Sequence, residues 1–157
     1  MKTQVLSDAN LSARVERVFG RSIDPMTDVE ARAHELLQGM DVVVWEGDAS
    51  TFQFSFIGET AVRLLGYPRD RWIKEATFWA DSVVHPDDRS DAIAFCALAT
   101  GQSRDHDFVY RAVADDGRVV WLHDIVKVIR GPRGIPERLR GVMIDVTSTH
   151  TETSLEG

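Results

Sequence analysis

Along the chain the apolar positions change period twice, and the changes mark out the elements. Leu11, Val15, Val18 and Phe19 fall at i, i+4, i+7 and i+8, one stripe of a 3.6-residue period, which predicts a short amphipathic helix ending at Gly20. A second helix begins at Thr27, which stands in capping-box relation to Glu30; Val29, Ala33, Leu36, Leu37 and Met40 would form its apolar face. From Asp41 the pattern becomes extended. Residues 42–45 are a β-branched run closed by Trp45, and Phe52, Phe54 and Phe56 alternate with Gln53, Ser55 and Ile57. Gly47, Asp48 and Ser50 between them supply the chemistry of a tight hairpin.

Helical spacing returns over residues 59–65 and stops at Gly66, with Pro68 just beyond. Residues 69–84 carry Trp72, Phe78 and Trp79 and read as short, broken helices. Pro86 then sits at a first helical position, followed by Asp87 and Asp88 in the first turn, where carboxylates oppose the positive helix end. That helix would run to Gly101. Three strands follow: residues 108–113 and 119–129, joined by the turn Asp115-Asp116-Gly117, and residues 139–146 after a Gly/Pro-containing loop. Strands at both ends of a helical middle predict an α+β fold, not an alternating βαβ one.

Five landmarks occur in order: Leu65-Gly66-Tyr67; His85-Pro86-Asp87-Asp88-Arg89; Tyr110-Arg111 with Asp116-Gly117; Trp121; and Gly141 with Asp145 and Thr147. With these, residues 41–147 resemble a PAS domain with a C-terminal PAC motif. The resemblance implies a five-stranded antiparallel sheet, order 2-1-5-4-3, cupping short helices around an apolar pocket. It also implies a signal leaving through the terminal helices; the two patterned helices over residues 1–40 would flank the domain, and the polar, Ser/Thr-rich tail over 148–157 reads as a linker or frayed end. Asp145 and Thr147 would couple the sheet to that output.

Composition narrows the function. With 25 acidic against 18 basic residues and a net charge of −7, the chain lacks the basic excess that nucleic acid or an anionic membrane selects. One cysteine, Cys96, allows no internal disulfide and fits a reducing cytoplasm. No apolar run approaches the roughly 20 residues of a membrane span, and the start lacks the pattern of a secretory signal. A cytoplasmic protein is the expectation.

Candidate chemistry is sparse. His85 beside Asp87 and Asp88 could form a base or metal site, but helix capping accounts for the carboxylates, so no catalytic residue and no metal is expected. By the resemblance, a haem sensor would need a His on the long helix, which has none, and a flavin photosensor would need a cysteine motif that is absent. Haem and flavin are both disfavoured. What remains is the run of small residues Ala92, Ala94, Cys96, Ala97 and Ala99, which either lets the long helix pack closely on the sheet or leaves a slot, for which Trp72, Phe78, Trp79, Ile93, Cys96, Ala97 and Tyr110 are the lining candidates. Burial of each methylene contributes about 0.8 kcal/mol, so a fatty acid is the expected ligand. The N-terminal helices either cover the core or pair with a second copy, in which case Leu11, Val15, Val18 and Phe19 are the candidate homodimer interface. The expected role is a sensor at the start of a larger regulator, with a phosphatase controlling stress sigma factors as the first-choice output. The alternative is a ligand-free PAS module that only dimerises or docks partners.

Overall fold

A computed structural model describes residues 41–150. Five strands, β1 (Val42–Asp48), β2 (Phe54–Ile57), β3 (His106–Val113), β4 (Val119–Arg130) and β5 (Pro136–Asp145), form one antiparallel sheet in the order β2-β1-β5-β4-β3. Between β2 and β3 lie α1 (Thr60–Leu65), α2 (Arg69–Lys74), a π-helical turn (Trp79–Val83) and α3 (Pro86–Gly101). These pack on one face of the sheet, and the core fills the space between. The α+β expectation and its strand order hold.

Local chemistry explains the landmarks. Gly66 ends α1 in the left-handed region at φ +88, and its N–H donates to the Val62 carbonyl at 2.8 Å. Tyr67 then donates its hydroxyl to the Val113 carbonyl at 2.7 Å, and Asp115 N–H bonds the Leu65 carbonyl at 2.7 Å. The end of α1 is thereby fastened to the β3–β4 hairpin. At α3 the cap is His85, whose Nδ1 accepts from Asp87 N–H at 3.0 Å. Asp88 serves a different purpose from capping: its carboxylate takes the Arg111 backbone N–H, Nε and Nη2 at 2.8, 3.0 and 2.6 Å, tying α3 to β3. The Arg111 guanidinium holds the Asp88 carboxyl below its ordinary range.

One expectation changes. Strict alternation put Phe52, Phe54 and Phe56 on one face of a strand, with Ile57 opposite. In the structure Gly47 pairs with Phe54 but Glu46 pairs with Phe56, so Ser55 is an extra residue in β2. This bulge leaves Phe54 and Ile57 in the core cluster and Phe56 out of it. Phe52 belongs to the hairpin loop, at φ 63. At the C-terminal end residues 147–150 are helical. Asp145 Oδ1 starts that helix by accepting from Thr147 N–H at 2.9 Å and Thr147 Oγ1 at 2.5 Å. The apolar stripe Leu11, Val15, Val18 and Phe19 lies outside the described residues. Among the described residues no helix is long and apolar enough to cross a membrane.

A buried carboxyl at the wall of the core cavity

Inward-facing positions of β4 run Val120, Leu122, Asp124, Val126, and one of the four is an acid. Asp124 is 2% exposed. Three elements converge on it. Trp45 on β1 donates Nε1–H to Asp124 Oδ1 at 3.0 Å, and Tyr110 on β3 donates its hydroxyl to Oδ2 at 2.9 Å. Trp79 on the π-helical turn donates Nε1–H to the Tyr110 oxygen at 2.9 Å. The Trp45 indole reaches β4 by crossing β5 at Gly141, its pairing partner. A Cβ there would collide with the Ile125 carbonyl oxygen and lie 3.0 Å from the Trp45 ring, so only glycine allows the crossing.

Beside this network is a cavity of about 20 Å³, room for roughly one water molecule. Its walls are the aromatic rings of Trp45, Phe52, Phe54, Trp79 and Phe108, completed by Cys96 of α3, Val126, Leu139 and the Gly47 backbone. Asp124 is the one ionisable oxygen acid on this wall, and no Lys, Arg or His lines it. Burial pushes the Asp124 carboxyl up to about 7, against the opposing effect of the Tyr110 and Trp45 hydrogen bonds. Burial, reinforced by the Asp124 charge, raises Tyr110 well above its ordinary value and pushes the Cys96 thiol up to about 12. His106 stacks on Phe108 with its Nδ1 at 2.8 Å from the Arg104 carbonyl, and burial lowers its pKa, so it stays neutral.

Of the sequence candidates, Trp79 and Cys96 line the cavity and Tyr110 hydrogen-bonds its acid. Trp72 and Phe78 are buried behind the wall, Trp72 against Phe54 and Phe78 against Trp72 and Tyr67. Ile93 is half-buried against the core without reaching the cavity. Ala97 is a correction: it is exposed, because α3 turns only Ala92, Cys96, Ala99 and Thr100 inward. The small residues on that buried side mainly let the helix pack closely. Asp145 and Thr147 do sit at the handover from sheet to helix, where Trp121 N–H donates to Thr147 Oγ1 at 2.9 Å and Trp121 stacks on His150 with ring centroids 4.4 Å apart. Residue-pattern reasoning missed Asp124, Trp45, Phe54 and Phe108. Among the described residues no group of side chains could hold a metal ion.

Comparison with known proteins places this geometry. A family described as PAS fold matches residues 54–143. The N-terminal domain of a diguanylate cyclase with PAS/PAC sensor from Marinobacter aquaeolei is 34% identical, with a TM-score of 0.64 over 69% of this chain and 98% of that one. A sensory box histidine kinase/response regulator from Burkholderia thailandensis shares the fold at 21% identity, with a TM-score of 0.62 over 80% of this chain and 92% of that one. A LOV protein from Rhodobacter sphaeroides does so at 13% identity, with a TM-score of 0.59 over 72% and 64%. No curated protein matches the chain. The chain belongs to the PAS-fold family, whose domains are sensory modules and not catalysts.

Proposed function

We propose that the domain senses a small molecule in its core cavity and reports occupancy through the sheet to the segment after Thr147. The observation that carries this is the Trp79–Tyr110–Asp124–Trp45 chain of hydrogen bonds, which bridges the π-helical turn, β3, β4 and β1 at the cavity wall. A ligand that competes for Asp124 must rearrange its bonds to β1 and β3, and through Tyr110 the bond to the π-helical turn. Strand β4 leads directly to the output side, because Trp121 pairs with both Val146 N–H and Thr147 Oγ1. That supports residues 41–147 as the sensing unit, with Asp145 and Thr147 as the coupling point.

The fatty acid is the weaker ligand candidate. Its carboxylate would meet Asp124 with no basic residue on the wall. Homodimerisation through Leu11, Val15, Val18 and Phe19 is part of the proposal, as is an output domain in the same or a partner protein. The 34% identical relative is the sensor of a diguanylate cyclase, which favours a cyclase output over the sigma-factor phosphatase. Organic extraction of natively purified protein, followed by mass spectrometry, tests the sensing role. A compound present at near one per protomer, and missing from a Cys96→Phe variant that fills the cavity, is the expected result. Protein that purifies empty, with a variant equally able to signal, makes the ligand-free interaction module the correct account.

A further inference from the structure

The sensing proposal leaves the ligand's chemistry open, and the cavity wall constrains it. Five aromatic rings surround the space, and the wall carries one acid and no base. The rings form mutually inclined pairs, Trp45 with Phe54 at 5.2 Å and 41°, and Trp79 with Phe108 at 6.3 Å and 90°. Ring faces carry negative electrostatic potential and attract cations, Trp most strongly. Asp124 accepts one hydrogen bond on each oxygen, leaving about half of a carboxylate's acceptor positions unused. Its two partners are neutral donors, so an ionised Asp124 has no positive charge among the residues that line this space. The neighbouring His106 is neutral and stacked behind Phe108.

We infer that the core cavity is a binding site for a compact organic ammonium ion, with the charge held by Asp124 and the methyl or methylene groups held by the aromatic rings. This rests on the reading of the cavity as the sensory site. The present volume admits a group no larger than ammonium itself, so a methylated headgroup enters by displacing a wall residue. Phe52 is that residue. It is half-buried, sits in a five-residue hairpin loop (49–53), and holds a left-handed backbone at φ 63 that a non-glycine residue adopts at a cost. The loop backbone is held at both ends: Asp48 Oδ1 accepts from Ser50 and Thr51 N–H at 2.7 and 3.0 Å, the Asp48 carbonyl accepts from Phe52 N–H at 2.9 Å, and Gln53 Nε2 donates to the Ile73 carbonyl at 2.8 Å, so the part free to move is the Phe52 side chain. Rotation of the Phe52 ring out of the wall, with its backbone bonds kept, widens the space it lines together with Trp45 and Phe54.

Choline and 3,3-dimethyl-1-butanol have the same shape and differ in charge, and they supply the test. Titration calorimetry on the full chain at pH 8, where Asp124 is mostly ionised, should give choline at least roughly tenfold tighter binding than the alcohol. Asp124→Asn should remove that preference while leaving the alcohol's affinity unchanged. Should Asp124→Asn fail to fold, Phe108→Leu carries the same comparison, with an expected severalfold loss for choline alone. Equal binding of the two probes, or binding of decanoate in preference to both, overturns the cation assignment and leaves the sensory cavity standing. No binding of choline, methylammonium, the alcohol or decanoate overturns both.

Discussion

Asp124 should make the domain less stable as pH rises, the opposite of what an ion-paired carboxylate does. Its acid is raised from 3.8 to about 7 in the fold, so the folded state favours the protonated form. The resulting stabilisation is complete below pH about 4, declines between about 4 and 7, and is gone once pH passes the folded value. At about 1.4 kcal/mol per pH unit, the raised pKa corresponds to at most about 4 kcal/mol across that window. Asp124→Asn keeps the shape and removes the titration. Urea unfolding of both proteins, followed by tryptophan fluorescence at intervals from pH 4 to 8, isolates the contribution because every other titrating group is common to the two. The wild type should lose ground to the variant steadily over the window, by roughly 1–4 M in relative urea midpoint for ordinary slopes. Parallel profiles, or a wild type that gains on the variant as pH rises, would refute the reasoning.

Other consequences follow from the same contacts. Gly141→Ala should cost at least 1–3 kcal/mol, as overpacking does, and shift the Trp45 fluorescence, because the added methyl meets the Ile125 carbonyl and the indole; a neutral effect on urea midpoint would contradict the crossing. Arg111→Ala should cost about 1.5–3 kcal/mol and bring the Asp88 carboxyl back toward its ordinary value, read by carboxyl NMR titration. The Cys96 thiol should resist Ellman's reagent in the native protein at pH 8 and react fully in denaturant, since it is buried and its pKa is about 12. Purified protein should show neither a Soret band nor flavin absorption; stoichiometric flavin uptake would show that the cavity opens far wider than its 20 Å³ implies.

The fold was legible because its punctuation is local. Gly66, Pro86 and Asp116-Gly117 act within a few residues of themselves, so turn and cap chemistry located α1, α3 and the β3–β4 hairpin before any tertiary contact was known. The Ser55 bulge was not legible, since it exists only in the pairing of β2 with β1. At the site, attention to helix composition selected the small residues of α3, yet two of the five, Ala94 and Ala97, face solvent. A usable signal lay in β4. Reading it with period two puts Asp124 between Leu122 and Val126 on the core face, where an acid without a reason is improbable. What the pattern could not supply is the partner set, because Trp45, Tyr110 and Trp79 reach Asp124 from 79 and 14 residues away and through a third element.

The same geometry offers its own reporter for the sensing claim. The chain has four tryptophans, of which Trp45 and Trp79 line the cavity, Trp72 is buried behind it and Trp121 stacks on His150 away from it. Proton–nitrogen NMR of the four indole N–H groups during titration with choline, 3,3-dimethyl-1-butanol and decanoate reads occupancy directly. At least one probe should move the Trp45 and Trp79 signals together, at saturating concentration, before any change at Trp121. Signals of Trp45 and Trp79 that stay fixed with all three probes, or a response confined to Trp121, would contradict a sensory cavity in the core.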